Sequence, residues 1–141
     1  MTGQVLVTVT GRQTVDGETD EITSRVSGRL VEKGGARYLS YQETAPDGSD
    51  ATNVTLKLEE KRVVMLRSGA TKTSMVFQTE NDTFCDYETM AGTFAFRIHT
   101  EYLRVHFGEK TGRVSLNYTL FSNGEALSRN EVIVSVHAAE E

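Results

Sequence analysis

The sequence has little of what marks several large classes of protein. One cysteine in 141 residues excludes an internal disulfide, which is typical of proteins from a reducing compartment. The longest uninterrupted apolar run covers only residues 63–66, far short of the roughly 20 residues that a membrane-spanning helix needs. The first residues show no basic segment followed by an apolar one. We therefore expect no secretory signal and a cytoplasmic location.

An excess of positive charge is also missing. The chain has 15 Lys and Arg against 20 Asp and Glu, which gives a net charge of −5. Proteins that bind nucleic acid neutralise phosphates with a basic face, and anionic membrane surfaces attract the same kind of face. We therefore predict neither a nucleic-acid partner nor a membrane partner.

Helical periodicity is absent as well, and strand periodicity is present instead. No stretch repeats apolar residues at the spacing of a full-length amphipathic helix, whereas about ten short stretches alternate apolar and polar residues. With 38% hydrophobic and 25% charged residues, the chain is globular. We predict an all-β protein with a single domain over residues 1–141.

Short turns join these stretches. Gly34-Gly35 and Asn123-Gly124 are typical of two-residue hairpins, and residues 45–50, which contain the only proline, predict a loop. Short turns make sequential neighbours antiparallel, and a long meander tends to close because closure removes exposed edges. We predict a closed or nearly closed antiparallel meander β-barrel of about eight to ten strands, with residues 5–9 paired to residues 132–136.

The alternation changes phase once within a single stretch. Phe96 and Ile98 are even-numbered, whereas Leu103 and Val105 are odd-numbered. A strand that keeps one face buried needs an inserted residue to do this. We predict a β-bulge or sharp bend between residues 99 and 102.

Several short segments, in their order and spacing, resemble the YwiB-like family of uncharacterised bacterial proteins. The resemblance runs over nearly the whole chain and is carried by residues 65–70 (MLRSGA), Phe77, residues 87–89 (YET) with Gly92, residues 38–41 (YLSY) and residues 110–116 (KTGRVSL). It implies a calycin-like, lipocalin-like barrel in a bacterial cytoplasmic protein. It implies no activity, substrate or cofactor.

Charged side chains interrupt two apolar faces. Arg67 continues the face of Val63 and Met65, and Glu43 continues the face of Leu39 and Tyr41. A buried guanidinium must be paired and hydrogen-bonded. We predict a polar patch at one mouth of the barrel that either binds an acidic or partly apolar ligand or is a structural ion pair. Its members are Arg67, Glu43, Tyr41, Tyr87 and Tyr118.

Small residues lie on another inward face. Ile22, Val26 and Leu30 share a face, and Ser24 and Gly28 lie between them. The small side chains either leave a cavity or receive large side chains from across the barrel.

Other chemically active residues form no motif. The three histidines, His99, His106 and His137, are scattered, and Cys85 has no second thiol nearby. The acidic cluster Asp16, Glu18, Asp20 and Glu21 has a glutamate, Glu21, at the sixth position, where a calcium loop needs glycine, and it is typical of a solvated turn. We predict no metal, no cofactor and no catalytic residues, so an enzyme is the least favoured class.

Two functions remain. The favoured one is a binding barrel for a small, partly apolar ligand, with Arg67 at the mouth of an internal pocket of several hundred Å³. The alternative is a filled barrel that acts by protein–protein contact or as a homodimer. Its surface would be the apolar residues of the outer face: Leu6, Val31, Val64, Leu66, Val76, Phe121 and Ile133.

Overall fold

The computed structural model describes residues 1–44, 51–69, 72–89 and 91–139, and these form ten β-strands. No helix occurs in these ranges. The strands are β1 (Gly3–Val15), β2 (Glu18–Lys33), β3 (Ala36–Thr44), β4 (Ala51–Leu58), β5 (Val63–Gly69), β6 (Lys72–Phe77), β7 (Thr83–Thr89), β8 (Gly92–Phe107), β9 (Thr111–Ser122) and β10 (Glu125–Ala138).

The strands form one closed antiparallel barrel in which each strand pairs with its sequence neighbours. The first and last strands close it, with Val7 opposite Val136 and Val9 opposite Val134. The fold class, the meander order and the predicted closure are confirmed. Because the barrel is closed, every strand has a partner on both sides over at least part of its length.

Three hairpin turns have the geometry that their residues favour. Gly34 and Gly35 have φ of 60° and 81°, and Asn123 and Gly124 have φ of 52° and 81°. The turn at residues 16–17 is alike. Positive φ at both central positions defines a type I′ turn, which matches the twist of the flanking strands. The loop predicted at residues 45–50 lies outside the described residues.

The predicted bulge is confirmed in β8. The pairing of β8 with β9 shifts register between Thr100 and Tyr102, so Glu101 is the extra residue. Before it Ile98 faces the interior, and after it Leu103 does. One inserted residue thus keeps both halves of a 16-residue strand facing the core.

We call the end of the barrel at residues 34–35, 59–62, 78–82 and 108–110 the closed end. Its interior is tightly packed: Leu30, Leu39, Val63 and Phe77 are each 0% exposed. A Cβ atom added to Gly112 would lie 2.3 Å from the ring of Phe107, so that ring lies directly on the glycine. Large buried side chains therefore fill this half of the barrel.

We call the opposite end, at the turns of residues 16–17 and 123–124, the open end. Toward this end β2 and β3 separate, because their pairing runs only from Gly28 to Lys33. Residues 18–25 of β2 are all exposed. Ile22 is 69% exposed, so the inward face expected at that position is wrong for this part of β2. The β1–β2 hairpin extends beyond the core.

Gly28 marks the point where β2 leaves β3, and neighbouring atoms leave no room for a side chain there. A Cβ atom there would lie 2.7 Å from the carbonyl oxygen of Ser40 and 2.9 Å from Cγ2 of Val7. Ser24 is exposed. Of the two interpretations of these small residues, close packing holds at Gly28, and neither holds at Ser24.

Candidate functional site

An ion pair occupies the open end of the interior. Nη2 of Arg67, on β5, donates to Oε1 of Glu43, on β3, at 3.2 Å. The two side chains are 32% and 37% exposed. Both residues lie where inward alternation places them, so a charged pair replaces apolar packing at this level of the barrel.

Two tyrosines share this environment. Burial raises the pKa of Tyr41, the carboxylate of Glu43 raises it further, and Arg67 opposes the rise. Burial also raises the pKa of Tyr118, with Arg67 again opposing and Cys85 and Glu43 adding to the rise. Both hydroxyls therefore stay protonated near neutral pH and can donate hydrogen bonds.

Two buried donors at this site have no partner among the residues that the structure describes. They are Nε of Arg67 and the hydroxyl of Thr73. The two residues are direct cross-strand partners on β5 and β6, so their side chains leave the sheet on the same face. Thr73 is 5% exposed. A buried donor without an acceptor costs about 1–3 kcal/mol, so each is a position where an acceptor would stabilise the protein.

Tyr87 extends the same row. It lies opposite Thr73 on β7, and its ring meets Phe96 edge-on with the centroids 6.1 Å apart. The ring of Tyr118 packs against the ring of Phe77, with the centroids 4.7 Å apart. This contact lies where the polar end meets the apolar core. The structure thus places all five predicted residues on the inner wall at the open end. It couples Arg67, Glu43, Tyr41 and Tyr118 electrostatically, and Tyr87 joins them through the register of the strands.

Two polar residues of this end were missed in the sequence. Thr73 alternates with Met75 and Phe77, so its inward position was readable, and a hairpin between β5 and β6 would have set it opposite Arg67. Asn130 alternates in the same way with Val132. It is 7% exposed and its Oδ1 accepts from Nε2 of Gln13 at 3.3 Å. The available signal was polarity at an inward position.

Apolar side chains surround the polar group. These apolar side chains are only partly buried, and one of them, Phe94, is 48% exposed. Together with the polar group they give the open end an amphipathic lining. A Cβ atom on Gly11, which faces the same region, would meet nothing within 4 Å. The other members of this lining are Val9, Val26, Phe96 and Leu120.

The sequence predicted a pocket inside the barrel, whereas the two grooves beside this site lie on its outside. A groove of about 460 Å³ lies beside Arg67 and Thr73, but exposed side chains of β4 to β7, such as Leu66 and Ser74, form its wall. A second groove, of about 660 Å³, lies where β2 and β3 separate, next to Tyr41. Both grooves open to the outside of the barrel.

Cys85 and His99, two other reactive groups, have different surroundings. Burial raises the pKa of Cys85, and Asp86 raises it further, which favours the neutral thiol over the thiolate. On the outer wall, Nδ1 of His99 lies 2.7 Å from Asp82, and Asp82 also pairs with Arg97. Within the described ranges, no group of three or more His, Cys, Asp or Glu side chains could hold a metal ion.

The apolar residues of the outer face do not form one patch. Leu6, Val31 and Leu66 are 52%, 44% and 46% exposed, and they lie on different strands around the barrel. Val64 and Val76 are direct cross-strand neighbours, but both are half-buried.

These features define a class: a small, closed, ten-stranded antiparallel barrel with one packed end and one polar, accessible end. A family model described as "Domain of unknown function (DUF1934)" matches residues 7–133. The chain is 31% identical over 110 residues to the uncharacterized beta-barrel protein YwiB of Bacillus subtilis, covering 78% of this chain and 76% of that one. The chain belongs to this family, as its resemblance predicted.

A solved structure supports the fold. The crystal structure of the ywiB protein from Bacillus subtilis matches with a TM-score of 0.86 at 23% sequence identity, covering 99% of this chain and 94% of that chain. The calycin classification and the cytoplasmic location stay predictions. Across the residues that the structure describes, no helix is long and apolar enough to cross a membrane.

Proposed function

We propose that the protein binds a small molecule with an anionic group at the open end of the barrel and acts in the cytoplasm as a binding protein. The observation that carries the proposal is the pair of buried donors, Nε of Arg67 and the hydroxyl of Thr73, which lie side by side without an acceptor among the described residues. A carboxylate or similar anion brings two acceptors and the charge that a guanidinium prefers.

The surroundings of the two donors suit such a ligand. Glu43 holds only Nη2 of the guanidinium, and its side chain is 37% exposed, so it can turn to solvent and release that nitrogen. The protonated hydroxyls of Tyr41 and Tyr118 are further donors. The half-buried apolar lining of the open end would cover a nonpolar portion of the ligand.

The test uses 1-anilinonaphthalene-8-sulfonate, an anion with an apolar body, as the fluorescent probe. We expect saturable binding to the wild-type protein and an affinity about tenfold weaker for Arg67→Leu, because one charge-assisted hydrogen bond contributes about 1.5–3 kcal/mol. Thr73→Val keeps the shape and loses one donor, so its loss should be smaller. Circular dichroism would establish that each variant is folded.

A matched control comes from the closed end. Arg37 pairs with Glu32 at 3.3 Å, much as Arg67 pairs with Glu43, but its guanidinium lies over the ring of Phe107. Arg37→Leu should leave probe affinity unchanged. Equal affinity in the wild type and in folded Arg67→Leu would overturn the proposal, as would an equal loss in both arginine variants. Native mass spectrometry of protein purified gently from its own host would then identify the natural ligand.

A further inference from the structure

Among the described residues, ten residues of β2 have no strand partner on the side of β3, and we call this the free edge of β2. β1 pairs with β2 from Gly3–Leu30 to Val15–Glu18 without a register shift, but β3 pairs with β2 only from Gly28 onward. Residues 18–27 therefore have a strand partner on one side among the described residues. On the other side, every second residue presents its backbone N–H and C=O groups, and no described residue forms a strand pair with them.

This edge is accessible and lacks several common barriers to pairing. Residues 18–25 are all exposed, including Ile22 at 69%. Residues 18–27 contain no proline and no lysine, and the pairing with β1 contains no bulge. A regular, exposed edge with an exposed apolar side chain is a template for another strand.

The charges on the outer face of this edge are self-complementary. Glu21, Thr23 and Arg25 alternate on one face, as their partners Arg12, Thr10 and Thr8 do on β1. Nε of Arg12 holds one oxygen of Glu21 at 3.2 Å, which leaves the other oxygen able to accept. No ion pair within the described residues involves Arg25.

We propose that the free edge of β2 pairs antiparallel with the same edge of a second copy of this chain, about a two-fold axis at Thr23. Glu21 of each copy then lies opposite Arg25 of the other, so the interface contains this pair twice. The two Ile22 side chains become diagonal neighbours across the axis, within reach of contact. The isologous geometry is that of an ordinary C2 dimer.

The charges select this register over its neighbours. An axis at Glu21 or at Arg25 would set two like charges directly opposite each other, which is destabilising. An axis at Ile22 or at Ser24 would leave Arg25 opposite an uncharged threonine. Only the axis at Thr23 pairs both charges.

Sedimentation velocity over a concentration series tests the proposal with two charge variants. Glu21→Arg and Arg25→Glu should each dimerise about tenfold or more weakly than the wild-type protein. Each substitution sets like charges opposite each other twice in the interface. A 1:1 mixture of the two variants should restore the dimer, since the arginine introduced in one variant then faces the glutamate introduced in the other. Misfolding of either variant could not produce that recovery.

Arg29→Glu is the matched control. It makes the same change of charge on the same face of β2, but Arg29 lies where β2 is already paired with Ser40 of β3. It should leave the dimer intact. A wild-type protein that stays monomeric at about 100 μM, dimerisation that Arg25→Glu leaves unchanged, or a mixture that stays monomeric would each overturn the proposal.

Discussion

The two ends of this barrel each carry an arginine–glutamate pair on the inner face, and the pairs differ in what surrounds them. At the closed end, Arg37 pairs with Glu32 at 3.3 Å and lies 4.9 Å above the ring of Phe107. At the open end, Arg67 pairs with Glu43 at 3.2 Å, and its Nε is buried without an acceptor among the described residues. The first pair covers a filled core, whereas the second faces an incomplete set of hydrogen bonds.

Under the proposed function, this difference places the stabilising residues at one end of the barrel and the ligand-binding residues at the other. The closed end buries large apolar side chains completely, and burial of that kind supplies most of the free energy of folding. The open end contains tyrosines, an ion pair and half-buried apolar residues, so it adds less stability and stays available for a ligand. Variants matched between the two ends test this division.

The largest expected difference in stability is between alanine substitutions of two inward phenylalanines, one at each end. Phe77 is 0% exposed and Phe94 is 48% exposed. Phe77→Ala should lower the free energy of unfolding by about 3–5 kcal/mol because it leaves a cavity in the packed half. Phe94→Ala should lower it by less than about 1 kcal/mol, as is usual for exposed sites. Urea unfolding measures both, and similar losses would show that the open end is as tightly packed as the closed end.

Two inward glycines provide the next comparison. Gly28→Ala places a Cβ atom 2.7 Å from the carbonyl oxygen of Ser40 and should cost about 1–3 kcal/mol through overpacking. Gly11→Ala meets nothing within 4 Å, so it should be neutral or slightly stabilising. The same urea assay decides, and a tolerated Gly28→Ala would mean that β2 and β3 are farther apart than described.

Alkaline pH should destabilise the protein through its buried tyrosines. The pKa of Tyr41 is raised in the folded state, chiefly by burial. The unfolded chain therefore releases this proton first, and stability that is intact below about pH 10 falls as the pH rises past it. The urea midpoint should drop from about pH 9 to about pH 11, and it should drop less in Tyr41→Phe. An identical drop in both proteins would remove Tyr41 as a cause.

The smallest effects should come from the two arginines themselves. Arg67→Met introduces an apolar side chain in place of a guanidinium whose Nε has no acceptor among the described residues. The free energy of unfolding should therefore change by less than about 1 kcal/mol or rise. Arg37→Met loses an exposed ion pair and a cation–π contact and should cost about 0.5–1 kcal/mol. A large loss in Arg67→Met would assign Arg67 to structure and not to a ligand.

Much of the fold was readable because alternation and turn chemistry agree along the chain. The phase change after Ile98 located the bulge, and Asn123-Gly124 located a hairpin. The separation of β2 from β3 was not readable, because the alternation of Ile22, Val26 and Leu30 continues through it. Only the three-dimensional register, in which the β2–β3 pairing ends with Gly28 opposite Tyr41, shows where the two strands part.

The candidate site was predicted in part for a related reason. A charge on an apolar face is conspicuous, which is why Arg67 and Glu43 stood out. Thr73 was not conspicuous, because threonine is common in strands and its missing acceptor is visible only in three dimensions. The register between β5 and β6 places Thr73 opposite Arg67, which is why it belongs to the proposed site.

The most direct measurement is a titration of the ¹⁵N-labelled protein with 1-anilinonaphthalene-8-sulfonate, followed through its backbone amide resonances. We expect shifts concentrated at the open end, at Arg67, Thr73, Tyr87 and Tyr118, with Leu30 and Val114 unmoved. Shifts centred on Leu30 and Val114, or on the outer wall at Leu66 and Ser74 without the inner residues, would contradict an open binding end.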